Sequence, residues 1–340
     1  MGYEVHVAVN EQFPIQWADQ VFALPFYKSL ISPKNILAIL RARKLLSSQN
    51  YEKICTNTTL AGIIIRMAAL HLKIHPRIYH IVHGYLFNLD SGFKKYLYLF
   101  FEKIVVCVTD VIMTMNREDF EIAKKYKLYK SGLFYINGMG VDPSRISSPS
   151  LQEKNGKKLH LGFSPEDFLF IYAAEFSKRK NQKLVIKAFA KCELKKAHLL
   201  LAGDGKKLNE CKQFAKQLGQ TDKIHFLGYV KDVLSYYMAS DAVVSTSHIE
   251  GMPFNIIEAI GCSLPVVVSD IKGHRELVGQ AINGLLFKDQ NERELITCLK
   301  KIYAMSSEQR LLFGKAGKQK STIFLLPNVF EQIMNIYTHQ

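Results

Sequence analysis

Strand-like apolar runs and helical segments alternate through the second half of the sequence. Five runs have the length and composition of buried strands: Leu169–Ala174, His198–Ala202, Ile224–Leu227, Ala242–Ser245 and Pro265–Val268. Helical patterns separate them, at Lys183–Cys192, Lys206–Leu218, Val230–Ala239 and from about Pro253. Strands joined through helices are typical of a parallel sheet, so the alternation predicts an α/β fold with a doubly wound sheet.

The fourth of these runs leads into the segment Ser247–Ile260, S-H-I-E-G-M-P-F-N-I-I-E-A-I. A glycine-containing turn at 250–252 precedes Pro253, and proline is favoured in the first turn of a helix. A helix that begins there leaves backbone N–H groups unpaired, and its dipole adds partial positive charge. The segment therefore predicts a site for an anion, most naturally a phosphate.

Two glutamates flank this predicted anion site. Glu250 lies in the turn, and Glu258 lies about one helical turn inside the helix, on a face that can look back toward its N-terminus. Carboxylates are poor phosphate ligands, but they accept hydrogen bonds from the hydroxyl groups of a ribose or a sugar ring. Amides for a diphosphate and acids for hydroxyl groups together indicate a sugar-nucleotide site.

The spacing of Glu250 and Glu258 resembles the E-x7-E motif of retaining glycosyltransferases of family 4, which have the GT-B fold. The longer string E-G-M-P-F-N-I-I-E-A-I-G-C-S-L-P-V-V-V-S-D strengthens the resemblance, which extends over nearly the whole chain and is strongest from about 170 to 287. The alternative is an ordinary α/β domain in which a capped helix carries two solvated glutamates.

The resemblance implies two Rossmann-like, doubly wound domains that face a cleft. Residues 1–150 would bind the acceptor, residues 151–322 would bind the nucleotide sugar, and residues 323–340 would form a helix that returns to the first domain. The segment Ser144–Lys158 is rich in Ser, Pro and Lys and has no apolar period, so we expect it to be a linker.

The resemblance also concerns the N-terminus. GT-B first domains open with an apolar strand, a glycine-containing loop and a helix, whereas Met1–Val7 resembles the end of that helix and the second strand. We expect that the first strand and its loop are missing. Either translation starts about 25–30 residues upstream, or the product is inactive and poorly soluble.

By the same resemblance, further loops of the second domain line the donor site. Lys180, in the loop after the first strand, aligns with the phosphate-binding lysine of the family. The family often has an arginine where this chain has Glu175, so Arg179 is the candidate for a second cation. The alternative for this loop is a solvated basic turn.

Two glycines and an aromatic residue mark the remaining loops. Gly203 and Gly205 let backbone approach a ligand closely, although such turns are common. Tyr229 and Val230 resemble the loop against which the family's nucleotide base rests. The implied nucleotide-sugar-binding set is Arg179, Lys180, Gly203, Gly205, Tyr229, Val230, Glu250, Gly251, Met252, Pro253, Phe254, Asn255 and Glu258.

His83 is the candidate in the first domain. It follows the predicted strand Arg77–Val82 and precedes a glycine, which resembles the family's H-G-[FY] element near the donor sugar and the acceptor. A structural histidine that caps a loop is the alternative. The implied catalytic set is His83, Lys180 and Glu250. Asp142, in a segment that resembles the hinge-side G-x-G-V-D element, is expected to be structural.

The formal net charge of +15 calls for an acidic partner. Nucleic acid is disfavoured, because no zinc finger, RNA-recognition motif or groove-reading basic helix is evident. Anionic lipid and a phosphorylated substrate remain. The segment Ser91–Lys103 joins Lys94, Lys95 and Lys103 to many aromatic residues, and we favour its burial in the core over an interfacial position among lipid headgroups.

The six cysteines are scattered without a C-x-x-C pair, which is typical of reduced, cytosolic thiols and argues against zinc. The sequence has no apolar run of about 18 residues and no secretory pattern at its N-terminus. We therefore expect a cytoplasmic chain, peripheral at the inner face of the plasma membrane, that uses no metal and no cofactor.

The resemblance implies a retaining transferase. It would move a hexose or N-acetylhexosamine from a nucleotide diphosphate sugar, with UDP favoured, to a lipid-linked or saccharide acceptor in surface polysaccharide synthesis. Two alternatives stay open. One is a non-catalytic remnant that binds a nucleotide or a partner, and the other is a sugar-nucleotide epimerase, since that activity uses the same two-domain fold.

Overall fold

The computed structural model of the protein describes residues 2–27, 32–87 and 92–339. Contacts divide the chain into two compact units, Met1–Tyr135 and Ile136–Gln340. The strands in both units pair in parallel, and from β2 onward a helix lies between successive strands, so the predicted α/β architecture is confirmed. The expected domain limits of 1–150, 151–322 and 323–340 stay a prediction, since they concern what each part binds.

The first unit contains two parallel sheets among its described residues. A four-stranded sheet has the order β3-β4-β5-β6, and β1 pairs with β2 separately. The strands are β1 His6–Val9, β2 Gln20–Ala23, β3 Lys53–Asn57, β4 Arg77–Val82, β5 Val111–Thr114 and β6 Gly132–Tyr135. The helices are α1 Lys34–Ser48, α2 Thr59–Ala69, α3 Lys94–Ile104 and α4 Arg117–Tyr126.

A fully buried ion pair joins α2 to α3. The Nη1 and Nη2 atoms of Arg66 lie 3.0 and 3.1 Å from the two carboxylate oxygens of Glu102. Arg66 Nη1 also donates to Thr109 Oγ1 at 3.3 Å, just after α3. The bidentate geometry fixes the register of the two helices. A 3-10 turn at Val106–Val108 follows α3.

The exposed face of α3 contradicts the expected core burial of this segment. Phe93, just before the helix, is 87% exposed, and Tyr96 and Phe100 are 58% and 60% exposed. Leu97 is also exposed, whereas Leu99 lies in the core. Residues at this spacing share one face of a helix, so α3 presents an aromatic face to solvent. The side chain of Lys94 lies outside the described part of the structure.

The second unit is built on one six-stranded parallel sheet with the order β12-β11-β10-β7-β8-β9. Its strands are β7 Phe168–Ala173, β8 Ala197–Ala202, β9 Ile224–Gly228, β10 Ala242–Ser245, β11 Val266–Ser269 and β12 Gly284–Phe287. All residues of β10 and β11 are buried, as expected of central parallel strands. Because β10 lies beside β7 rather than β9, the strand order reverses between β7 and β10, and the carboxyl edge there is where such sheets bind ligands.

Helices cover both faces of this sheet. They are α5 Leu151–His160, α6 Gln182–Cys192, α7 Leu208–Gln217, α8 Leu234–Ala239, α9 Phe254–Gly261, α10 Lys272–Leu277, α11 Glu292–Ala304, α12 Ser307–Ser321 and α13 Leu326–His339. Residues 136–141 belong with this unit as well. Val141 bridges Leu325, and the backbone N–H of Asn137 donates to Gln332 of α13 at 2.9 Å.

The linker expected at Ser144–Lys158 is wrong, because most of it belongs to α5. Ser150 and Glu153 form a reciprocal capping box at the start of that helix. Lys154 and Lys158 then reach Asp241 at 2.7 and 2.8 Å, where all three side chains are largely buried. Asp241 also accepts the backbone N–H of Leu169 at 2.9 Å. Charge pairing, rather than an apolar face, therefore fastens α5 to the sheet.

We expect the replacement Asp241→Asn to destabilise the protein, because it leaves two ammonium groups without their shared carboxylate. The free energy of unfolding at pH 7 should fall by about 3 kcal/mol, the scale of breaking a buried pair. Urea denaturation measures this loss. Asp270→Asn is the matched control, since Asp270 is paired with Arg275 at an exposed site, and it should cost less than about 1 kcal/mol.

The effect of Asp241 should also depend on pH. Burial raises the pKa of Asp241, but the charges of Lys154 and Lys158 outweigh burial and hold the pKa below the ordinary 3.8. A carboxylate with a depressed folded pKa stabilises the protein above its unfolded pKa, and the stabilisation disappears as the pH falls through the folded pKa. The difference in unfolding free energy between wild type and Asp241→Asn should therefore become smaller below about pH 4. If this difference is the same at every pH, the charge of Asp241 is not the cause of the stability loss.

Candidate functional site

Hydrogen bonds fasten the loop after β7 to the loop after β10. The hydroxyl of Thr246 donates to the carbonyls of Lys180 and Asn181 at 3.2 and 2.8 Å. The backbone N–H of His248 donates to the carbonyl of Arg179 at 2.9 Å. These contacts bring the two predicted cations and the glycine turn of the central segment to the same part of the carboxyl edge.

Glu250 lies between the two cations. Its Oε1 is 2.6 Å from Lys180 Nζ, and its Oε2 is 2.8 Å from Arg179 Nη1. The Glu250 side chain is only 8% exposed. Burial raises the pKa of Glu250, but the two positive charges outweigh it, so the pKa lies below its ordinary value and the carboxylate is ionised. Burial lowers the pKa of Lys180, and the charge of Glu250 opposes that effect.

Helix α10 packs closely against the turn that begins at Glu250. A Cβ at Gly273 would lie 2.6 Å from the carbonyl oxygen of Glu250 and 2.8 Å from that of Gly251. Only glycine therefore allows this close approach. The turn leads through the buried Met252 to Pro253, which caps α9, so the helix begins where the sequence predicts.

The first residues of α9 face different directions. Phe254, the first residue of α9, is 45% exposed. The Asn255 side chain instead donates to the carbonyl of Ala173 at the end of β7, at 3.0 Å. Its backbone carbonyl accepts from the hydroxyl of Tyr237 at 3.3 Å. Asn255 thus ties α9 to the sheet with its side chain, which leaves only its backbone N–H for the predicted anion.

Glu258 is buried on α9 and pairs with a residue that sequence analysis did not identify. Its Oε1 lies 2.8 Å from Nε of Arg145, in the 3-10 turn Pro143–Arg145. Burial raises the pKa of Glu258, and the charge of Arg145 opposes that rise. No local pattern links these residues, because they are distant in sequence and meet only in the folded unit.

The predicted glycines have a packing role in this structure. Gly203 has φ +141°, and a Cβ there would lie 2.1 Å from the carbonyl oxygen of Ala174. Gly205 has φ +143°, and its Cβ would lie 2.5 Å from the carbonyl oxygen of Phe176. The glycines therefore let the loop after β8 pack directly against the loop after β7. Their approach to a ligand stays a prediction.

Tyr229 and Val230 follow the next strand along this edge. The backbone N–H of Gly203 donates to the carbonyl of Gly228 at 2.7 Å, so the loops after β8 and β9 are adjacent. The Tyr229 side chain is 79% exposed, and Val230 is half-buried. The structure therefore places a surface loop, with backbone beside Gly203, where a base was predicted to rest.

His83 lies in the first unit, after β4 and beside the end of β3. Its Nε2 is 3.3 Å from Oδ1 of Asn57. Burial lowers the pKa of His83, which favours a neutral ring near pH 7. The neighbouring Gly84 carbonyl accepts from the hydroxyl of Thr59 at 3.3 Å. His83 thus lies at the carboxyl edge of the first unit's sheet, and both its structural and its functional interpretation are compatible with this place.

Two further histidines belong to this region, one within the central segment and one in α10. Nδ1 of His248 is 2.9 and 3.1 Å from the carboxylate oxygens of Asp289. Burial lowers the pKa of His274 to about 4, and its Nε2 has no hydrogen-bond partner among the described residues. Sequence analysis missed both because Asp289 follows β12 and His274 lies in α10, and neither element was predicted.

No three His, Cys, Asp or Glu side chains within 2–27, 32–87 and 92–339 group as metal ligands would. In the same ranges, none of the helices has both the length and the apolar character that a membrane crossing requires.

Comparison with known proteins identifies the family of the second unit. The sequence model of the glycosyl transferases group 1 family matches residues 154–320. The chain is 28% identical over 342 residues to the putative glycosyltransferase EpsD of Bacillus subtilis strain 168, an alignment that covers 99% of this chain and 90% of EpsD. The family model thus covers the part of the second unit that holds Lys180, Glu250 and Glu258.

One further relative and one solved structure extend the comparison. A UDP-Gal:alpha-D-GlcNAc-diphosphoundecaprenol alpha-1,3-galactosyltransferase of Escherichia coli is 26% identical, over 79% of this chain and 70% of that protein. Sucrose-phosphate synthase from Thermosynechococcus elongatus superimposes with a TM-score of 0.82 at 18% identity, covering 99% of this chain and 89% of that one. The latter likeness shows the fold.

Proposed function

Since this chain is a glycosyltransferase of the group 1, family 4 type with the GT-B fold, we propose that it is a retaining enzyme for surface polysaccharide synthesis. It transfers a hexose or N-acetylhexosamine from a UDP-sugar to a lipid-linked or saccharide acceptor. The name of the galactosyltransferase relative supports both a UDP-sugar donor and a diphospholipid acceptor.

The observation that carries the proposal is the cluster of Lys180, Arg179 and Glu250 beside the N-terminus of α9. Two cations contact one carboxylate there, and the charge of Glu175 also acts on Lys180. The first N–H groups of α9 point to the same edge of the sheet. A diphosphate placed there would receive charge-assisted hydrogen bonds from both sources.

The proposed donor pose follows from this charge distribution. The diphosphate draws Lys180 and Arg179 away from Glu250, and that carboxylate then accepts hydrogen bonds from hydroxyl groups of the sugar. Glu258 accepts from the ribose hydroxyls, and the base rests against the loop of Tyr229 and Val230. In this pose both glutamates face neutral hydroxyl groups of the donor, and Glu258 keeps its contact with Arg145.

The chemical step is departure of the diphosphate. The bond between the anomeric carbon and the β-phosphate oxygen breaks, and its electron pair leaves with the diphosphate. Lys180, which the bound diphosphate has already drawn to itself, and the backbone N–H groups in 251–255, of which Pro253 has none, stabilise this growing charge. The acceptor hydroxyl bonds to the anomeric carbon from the face that the diphosphate leaves, and its proton passes to the departing phosphate. We assign the neutral His83 to a hydrogen bond with the sugar or the acceptor.

Product analysis with purified protein tests this function. A saturation-transfer NMR screen against nucleotide sugars selects the donor, and UDP release is then measured with and without a diphospholipid-linked sugar. UDP that forms only with the acceptor supports transfer. Interconversion of UDP-sugars without the acceptor would instead show an epimerase. Binding of nucleotide without either reaction would show a non-catalytic remnant.

We expect Lys180→Ala to lower kcat about 100-fold or more, the scale of losing one preorganised charge partner of the leaving group. Lys178→Ala is the matched control, because Lys178 lies in the same loop with an exposed side chain, and it should stay within about threefold of wild type. If Lys180→Ala also stays within about threefold, the assignment of Lys180 fails and Arg179 becomes the leaving-group cation.

We further propose that the chain contacts anionic membrane through α3. Phe93, Tyr96 and Phe100 lie on one exposed face, and the exposed Lys103 follows them. The ammonium group of Lys95 lies 5.3 Å from the centre of the Tyr96 ring. Aromatic rings flanked by lysines suit the boundary between acyl chains and anionic headgroups. This would bring the enzyme to a lipid-linked acceptor.

Phe100→Ser should weaken binding to phosphatidylglycerol vesicles roughly tenfold, because it removes one large side chain from the apolar contact. Phe330→Ser is the matched control, since Phe330 of α13 has the same 60% exposure outside the proposed surface. Replacing Lys95 and Lys103 together should weaken binding at low salt and matter little at high salt. Vesicle sedimentation measures both. Equal losses for Phe100→Ser and Phe330→Ser would contradict the surface.

A further inference from the structure

The segment 142–148 lies along α9 and is fixed to it at several points. The Arg145 guanidinium reaches Glu258 at 2.8 Å. A Cβ on Gly261 would lie 2.6 Å from the side chain of Ile146, so the two are in close contact. Further on, the hydroxyls of Ser148 and Ser263 are 2.7 Å apart. These contacts run from the middle of α9 to just past its end, so the segment holds Arg145 in a defined place.

The conformation of the segment also orients Arg145. The carboxylate of Asp142 accepts the backbone N–H of Ser144 at 2.8 Å and caps the short 3-10 turn that ends at Arg145. This explains why Asp142 behaves as a structural residue. The Arg145 side chain is 56% exposed, whereas that of Glu258 is 6% exposed. The cation thus reaches in from the surface to a carboxylate that is almost fully enclosed.

The surroundings of Glu258 supply little other compensation for its charge. Tyr237 of α8 and Cys262 at the end of α9 are both neutral neighbours, and the charge of Glu258 raises the pKa of each of them further. Lys318 of α12 acts on Cys262, and its ammonium group donates to the hydroxyl of Ser148 at 3.0 Å. Among the described residues, Arg145 is the cation whose charge opposes the effect of burial on Glu258.

We propose that Arg145 is a positioning residue for the nucleotide. It keeps Glu258 ionised and holds one carboxylate oxygen, so that the other can accept hydrogen bonds from the ribose hydroxyls. This inference rests on the proposed function. Arg145 itself does not need to touch the nucleotide, because it acts through Glu258.

The direction of the pH effect follows from the two influences on Glu258. Burial raises its pKa, and Arg145 counteracts that rise, so removal of Arg145 lets the pKa climb further. A protonated carboxyl group is a weaker acceptor than a carboxylate. Nucleotide affinity in a variant without Arg145 should therefore begin to fall at a higher pH than in wild type, as the pH is lowered.

Calorimetric titration with UDP between about pH 5.5 and pH 8.5 measures how UDP affinity depends on pH in wild type and in each variant. We expect Arg145→Met to bind UDP about tenfold more weakly than wild type at the acid end, with a smaller loss at the alkaline end. Arg145→Lys should restore most of the affinity and the wild-type profile. Arg293→Met is the matched control, since it removes an exposed arginine of α11 away from Glu258. A wild-type profile for Arg145→Met would overturn the proposal.

A double variant separates this role from a general effect on folding. If Arg145 acts through Glu258, Arg145→Met should cost little further affinity once Glu258→Gln is present. Equal losses in the two backgrounds would overturn the proposal. Failure of the proposed function can be distinguished from failure of the Arg145 proposal, because the wild-type protein would then not bind UDP at all. In that case, NMR titration of carboxyl-labelled glutamate, assigned with Glu258→Gln, still shows whether Arg145 holds Glu258 ionised.

Discussion

The parallel pairing of β7 with β10 is the constraint on which the site depends. Chain order would place β10 at the edge beyond β9, but it pairs with β7 instead, and Ala242 lies opposite Phe170. The loops that leave these two strands therefore emerge side by side at the carboxyl edge. One loop carries Lys180 and the other carries Glu250, so the ion pair between them is a direct product of strand order.

Buried acids neutralised by distant cations recur through the second unit. Glu250 has two cationic partners, Glu258 has one, and Asp241 has two. In each case the cations come from another part of the chain, so the pairs tie elements together as well as offset the cost of burial. Where two cations share one carboxylate, at Asp241 and Glu250, the extra cation counts toward the net charge of +15 although it has an internal contact. The net charge is therefore an imperfect guide to external partners.

The sequence allowed good prediction where burial leaves a local pattern. The continuous apolar run of β10 matched the observed bounds at Ala242–Ser245, and the helix predicted at Lys183–Cys192 differs from α6 by one residue at its start. Prediction failed for α5, whose stability comes from lysines that meet Asp241, although the Ser150 and Glu153 capping box was a usable signal. Within the candidate site, the sequence predicted the central segment. It could not predict the contact between Arg145 and Glu258, because that contact forms only when the chain folds.

The attachment of residues 142–158 has a consequence for chimeric enzymes. The composition of this stretch favours its choice as a junction between two halves taken from different parent enzymes. Yet Arg145 is fastened to α9, and Lys154 and Lys158 are fastened beside β10. A junction within it would pair one parent's arginine with the other parent's glutamate, in a register that neither sequence was selected to keep. Exchange of halves is better made before residue 136, where the second compact unit begins.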